Sequence, residues 1–369
     1  MKRIVGILLA LLLACTIFPR TIAEEKNQFT EKCLFKFGND TCDAAALLQN
    51  GSIAVVSNAL YYEYEISSGK NLCKQITHPE LKNAAINGIS IIENNQYVII
   101  PCFDYASGQS YCAYISKTGD VFFSDLFDEE VHCGCLVGDK VLIAGIDFQN
   151  EITSSWFKVL SMDGSVECTK VLSLLKPEKY IGSASIVQCV AKNGNAVLIE
   201  QTRRDTQETI RMIEILPDGS IANTSLIDLS QFPVDQTGLQ IVGALLKNDS
   251  IIIYGVFSER DRVQSTFMMR VDGQYKTCDT IILDHSKYFR IAHVINTPNG
   301  LAAIVRRSDR ETDSILIGER LENDFSINND TSERRVPDRL MFDGQNLLIV
   351  GSILQMPDSP NKTYIGLLK

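Results

Sequence analysis

Seven nearly unbroken apolar runs punctuate this chain: Ile53 to Val56, Tyr97 to Ile100, Val141 to Ala144, Ala196 to Ile199, Ile251 to Tyr254, Leu301 to Ile304 and Leu347 to Val350. A strand that buries one face alternates apolar with polar residues, whereas one packed on both faces reads as a continuous apolar stretch. Each run therefore predicts a strand sandwiched between two layers. The residues that end the runs, Ser57, Pro101, Gly145, Glu200, Gly255, Val305 and Gly351, are spaced by 44, 44, 55, 55, 50 and 46 residues. A second set of marks follows them: tight turns at Ser68-Gly69, Thr118-Gly119, Asp163-Gly164, Asp218-Gly219, Asp272-Gly273 and Asn323-Asp324. They lie 12 residues after the first register mark and 18 or 19 after the next five. Glycine, Asn and Asp suit such hairpin turns because the backbone there needs positive φ. In the third unit, a turn at Gly138-Asp139, the run from Val141, a second run from Trp156 to Leu160 and the Asp163-Gly164 turn complete a four-stranded antiparallel meander.

After Gly351 the chain ends before a seventh such turn, while Gln28 to Phe37 (QFTEKCLFKF) has strand-like composition and no partner of its own. The expectation is that this N-terminal strand completes the last unit. Four strands per unit at a period of about 40 to 50 residues is the pattern of propeller blades, and the chain resembles the seven-bladed β-propeller superfamily, in a secreted bacterial form. The resemblance implies an all-β ring of four-stranded antiparallel blades, closed by the N-terminal strand, in one domain over residues 24–369. It names no subfamily. The Gly-His and Trp-Asp marks of WD40 repeats and the paired glycines of kelch repeats are absent, and Ser161-Met162-Asp163-Gly164 matches only the start of an Asp box. The single tryptophan, Trp156, excludes the tryptophan repeats of quinone-dependent propellers.

Lys2-Arg3, an apolar stretch from Ile4 to Phe18 and the small residues Thr21 and Ala23 form a secretory signal peptide over residues 1–23. A rival reading takes Leu12 to Cys15 as a lipoprotein box with Cys15 as the anchor. Without residues 1–23 the chain carries 32 Lys and Arg against 45 Asp and Glu, a formal charge of −13. Such a surface repels nucleic acid and anionic membranes. No later segment is long and apolar enough to span a bilayer. The expectation is a monomer that is secreted or extracytoplasmic.

Ten cysteines follow Cys15, an even number compatible with disulfides in an exported chain. Cys102 and Cys112, symmetric about Ser107 on a hairpin, are the candidate pair, because directly opposed hairpin residues come within disulfide reach. Cys133 and Cys135 point the same way from one strand and read as core. His78, His132, His285 and His293 all fall near junctions between units, without the carboxylate pattern of a metal site. Arginines gather at Arg203-Arg204, Arg260 with Arg262, and Arg306-Arg307 with Arg310, each interleaved with acids, which predicts self-paired, solvated loops. The sequons at Asn39, Asn50, Asn223, Asn248, Asn329 and Asn361 read as turn chemistry.

The function this pattern supports is non-enzymatic: a binding or scaffold propeller recognising a protein, peptide or glycan on its loop-rich face, with no cofactor and no metal. Tyr180, Tyr288, Arg290 and His293 are the candidate ligand-binding residues, near the junctions into the fourth and sixth units. The intervals of 55 put inserted length in the junctions into the fourth and fifth units, where a pocket can be built, and the junction from His285 to His293 adds aromatic surface and an arginine. The alternative is an enzyme of the channel mouth, either a metal-assisted lactonase or lyase or a glycan-cleaving enzyme with paired carboxylates. No Gly-x-Ser-x-Gly elbow is present.

Overall fold

A computed structural model describes residues 28–37, 42–81, 85–149, 152–175, 183–204, 207–230, 232, 237–258, 264–307, 313–328, 334–354 and 362–369. The expected signal peptide, Cys15 and Tyr180 lie outside the described residues. The chain is a seven-bladed β-propeller. Blades 1 to 6 occupy residues 44–75, 86–123, 130–175, 183–226, 237–282 and 288–328, and blade 7 takes residues 334–368 together with Gln28–Phe37. No helix occurs among the described residues.

The apolar runs form the second strand of each blade, and the core explains their continuity. Buried apolar residues fall into seven clusters, one at each blade-to-blade interface. In blade 1, Ala54 and Val56 face blade 2 while Ile53 and Val55 face blade 7. Successive side chains on a strand point to opposite faces, and here both faces are dry.

The N-terminal strand closes the ring as the sequence predicts, but it does so on two blades. Its first residues pair in parallel with the outer strand of blade 6 (Gln28↔Ser326, Phe29↔Ile327, Thr30↔Asn328), and the remainder pairs antiparallel with Lys362–Leu368 of blade 7. Blades 6 and 7 thus share one eight-stranded sheet. Glu31 is held 3.4 Å from Arg335 on the innermost strand of blade 7, with both side chains buried and the guanidinium over the Tyr364 ring.

Gly69, Gly119, Gly164 and Gly219 have the positive φ that their turns require. Two turns differ from expectation. At Asp272 the turn is longer, with Tyr275 rather than Gly273 at positive φ and the Asp272 amide bonded to the Lys276 carbonyl. In blade 6 the turn comes earlier, with Gly318 and Leu321 at positive φ, and Asn323-Asp324 opens the outer strand instead.

The cysteine pair is corrected. Cys102 pairs across the hairpin with Tyr111, and Cys112 with Pro101. That offset of one residue sends the side chains to opposite faces: Cys102 packs between blades 1 and 2, Cys112 between blades 2 and 3. Both are buried free thiols, and burial pushes the Cys112 thiol up to about 12.

Candidate functional site: the central channel

The innermost strands of blades 3 to 7 each carry a β-bulge at the same place. Their register shifts lie between Val131 and Cys133, Ile186 and Gln188, Ile241 and Gly243, Ile291 and His293, and Pro337 and Arg339. A bulge inserts one unpaired residue and re-aims its neighbours. Here the extra residues are His132, Val187, Val242, Ala292 and Asp338, each 13 positions before its blade's register mark. Counting back 13 and 12 positions in blade 1 reaches Ala44 and Ala45, and 12 in blade 2 reaches Ile89. All three line the central cavity, with His132, Cys133, Gln188, Val242, Gly243, Ala292, His293, Asp338 and Arg339.

This cavity has a volume of about 690 Å3. Its wall is asymmetric. Blades 1, 2 and 5 offer mostly small or apolar groups at the bulge level, whereas blades 6 and 7 contribute Arg290, His293, Arg306, Asp338 and Arg339. Arg290 stands near the start of the Tyr288–Thr297 strand and Arg306 near the end of Gly300–Arg307, so both are at the loop-rich end.

The polar groups are organised around blade 7. Arg306 pairs with Asp313 and Asp338 and donates to the Pro337 carbonyl at 2.8 Å. The Asp338 carboxylate also accepts from the Ser352 hydroxyl at 3.1 Å. Burial pushes its pKa up, opposed by the charge of Arg306, the Ser352 bond and the charges of Arg339 and Arg290. Arg339 donates to the Asp338 carbonyl at 3.3 Å. Tyr254 leans over Gly243, where its hydroxyl would stand 2.4 Å from any added Cβ. Burial raises its phenol pKa.

His293 accepts a hydrogen bond at Nδ1 from the Leu340 amide at 3.1 Å. In the neutral ring the proton therefore sits on Nε2, leaving a donor. Burial, and then the Arg339 charge, lower its pKa from 6.5 to about 3. In the unfolded chain the ring titrates near 6.5, so below that pH the unfolded state binds a proton the native state refuses. This contribution to stability is complete above pH 6.5 and is lost as pH falls toward 3. Urea unfolding at pH 7, 5 and 4 is expected to show a shallower loss of stability for His293→Gln than for the parent. Equal slopes would show that His293 does not titrate this way.

Of the candidate binding residues, Arg290 and His293 do meet in the channel wall. Tyr288 does not. It is buried between blades 5 and 6, donating its hydroxyl to Asp324 at 2.6 Å, and Arg307 meets the same carboxylate oxygen at 3.2 Å. The histidines likewise divide. His132 and His293 sit on innermost strands and line the channel, His132 lying 3.3 Å from Glu130. His78 packs beside Tyr111 and Phe123, and His285 is exposed. The expectation of self-paired, solvated arginines holds in part: Arg203 lies 3.6 Å from Glu208, whereas Arg306 and Arg307 stand largely buried at the end of a strand and reach beyond their own group to Asp338 and Asp324. Arg260, Arg262 and Arg310 lie outside the described residues. Sequence reasoning passed over Asp338, which lies 13 residues before its register mark, and Arg339 and Gln188, which lie 12 before theirs.

No protein-family model matches the chain, and no curated protein sequence matches it. Solved structures resemble it in fold. The polysaccharide lyase Uly1 is 8% identical with a TM-score of 0.52, the match covering 89% of each chain. The AfRom2 CNH domain is 10% identical with a TM-score of 0.50, covering 92% of this chain and 99% of that one. The Cps50 (Swd1) β-propeller domain of Myceliophteria thermophila is 11% identical with a TM-score of 0.50, covering 90% and 98%. At these identities the likeness is one of architecture, and the same architecture hosts unrelated functions.

Proposed function

We propose that the protein is an extracytoplasmic binding propeller that receives part of a protein, peptide or glycan ligand in the channel mouth, beside blades 6 and 7. The observation that carries this reading is the concentration of Arg290, His293 and Arg339 on one wall of a cavity of about 690 Å3, the size of an ordinary ligand pocket. The ring supports them rigidly, because every blade is clamped on both faces by its neighbours. Binding is favoured over paired-carboxylate glycan cleavage by the composition of the wall. Such cleavage requires two carboxyl groups flanking the scissile bond, whereas Asp338 is the one carboxylate among the described lining residues and is engaged by Arg306 and Ser352.

Gln188 faces the same cavity from blade 4, so Gln188→Trp narrows the mouth without altering the arginines. Immobilised protein probed with glycan and peptide arrays is expected to retain a defined set of ligands that the Gln188→Trp protein loses at unchanged melting temperature. Retention of the same set by both proteins would move the binding surface out of the channel.

A further inference from the structure

We infer that the group received in the channel is a singly charged oxyanion, a carboxylate borne by the ligand, held between Arg290, Arg339 and the Nε2–H of His293. The inference rests on the channel-binding reading and adds the ligand's chemistry to it.

The argument begins with charge. Arg290, Arg306 and Arg339 bring three positive charges to one side of the cavity, and Asp313 and Asp338 bring two negative ones, both in contact with Arg306. Among the described residues no carboxylate is in ion-pair contact with Arg290 or Arg339. One positive charge is left over, and one negative charge balances it. This surplus sits inside a chain whose formal charge is −10, so it is a local arrangement and not a reflection of general basicity. A cleft with low-dielectric walls focuses such a field toward its mouth.

Hydrogen-bonding capacity points the same way. Guanidinium groups only donate. His293 has committed its acceptor nitrogen to the Leu340 amide and has a donor to offer. Each Asp338 carboxylate oxygen already accepts a hydrogen bond, one from Arg306 and the other from Ser352. Around Arg290, Arg339 and His293 donors outnumber acceptors, which suits a partner that only accepts, and a guanidinium fork matches the two oxygens of a carboxylate. His293 kept neutral beside Arg339 avoids adding a charge that a monoanion would leave unbalanced.

Isothermal calorimetry at pH 7 with sodium D-glucuronate, its neutral methyl ester and glucose separates charge from sugar shape. Acetyl-glycine and its amide do the same for a peptide terminus. Binding of at least one acid, with loss on passing to its neutral counterpart, is expected. Arg290→Ala and Arg339→Ala should each weaken it about ten-fold or more, as for loss of a hydrogen bond to a charged group. Arg290→Lys, which keeps the charge and removes the fork, should restore only part of the loss, and all variants should melt close to the parent. Preference for glucuronate or for acetyl-glycine assigns the source of the carboxylate. Equal affinity for acid and neutral forms, or binding indifferent to both arginines, overturns the inference. In that event, ligands lost by the Gln188→Trp protein would still support a channel site of neutral chemistry, while ligands retained by it would overturn the channel reading itself.

Discussion

A chain that begins after Phe37 is expected to lose more than about 5 kcal/mol of folding stability, a large share of the 5–15 kcal/mol typical of a native protein. Removing Gln28–Phe37 withdraws Glu31 from the buried Arg335, and breaking a buried ion pair on one side costs about 3–5 kcal/mol. It also takes away Phe37, which is buried between blades 7 and 1. Finally it opens two sheet edges at once, Asn323–Asn328 and Lys362–Leu368, because the strand pairs with both. Open edges invite pairing with other chains, so the truncated protein should also aggregate on heating. Calorimetry of proteins beginning at residues 24 and 38 checks this, and a synthetic peptide of residues 28–37 should restore part of the lost melting temperature. If the two proteins melt together, the strand is an ornament on a ring that closes without it.

Glu31 itself illustrates the balance at this closure. Burial raises its carboxyl pKa, while the charge of Arg335 pulls it down. The net direction is upward, so desolvation outweighs attraction for the ionised form. The pair's stabilising effect therefore lies chiefly in what its disruption would leave behind.

The blades were readable from sequence because a doubly buried strand has few ways to be written. Ile53 to Val56 must serve blades 7 and 2 alternately, so neither face can carry polar residues. Turns were less readable. Asp272-Gly273 has the composition of a two-residue hairpin turn, yet Tyr275 takes the left-handed position, with its hydroxyl bonded to Glu214 at 2.8 Å and its ring under Lys192. Those partners come from blade 4 and leave no trace near residue 275. Tyr288 was misplaced for the same reason, since Asp324 and Arg307 reach it from the outer and second strands of its own blade. Symmetry about Ser107 suggested Cys102 and Cys112 as opposed residues, but the ladder pairs Asp104 with Gln109, shifting every partner by one. The channel wall was written in the sequence at a constant offset from the register marks. Its significance depends on the bulges, which local composition does not announce.

Those bulges lead to the sharpest expectation for single substitutions. Gly145, Gly255 and Gly351 pair with Val131, Ile241 and Pro337, the residues just before the bulges of blades 3, 5 and 7. A Cβ at these glycines would stand 1.9 Å from the Glu130 carbonyl oxygen, 2.1 Å from that of Gln240 and 2.2 Å from that of Val336. Each obstacle is backbone, held in the ladder of an innermost strand, so it cannot swing aside as a side chain would. The glycine is there for space. Alanine at any of the three must push the innermost strand toward the channel, and the cost should be about 3 kcal/mol or more, at the upper end of overpacking penalties. Gly51 provides the contrast, with φ +80 and nothing within 4 Å of an added Cβ. There alanine meets only the left-handed backbone penalty of about 1–2 kcal/mol. Denaturant unfolding of the four variants should therefore separate Gly51→Ala from the other three, and Gly351→Ala should in addition disturb ligand capture, because its strand backs Asp338 and Arg339. Should Gly145→Ala, Gly255→Ala and Gly351→Ala prove no more destabilising than Gly51→Ala, the bulges are compliant, and the channel wall is softer than the ring that carries it.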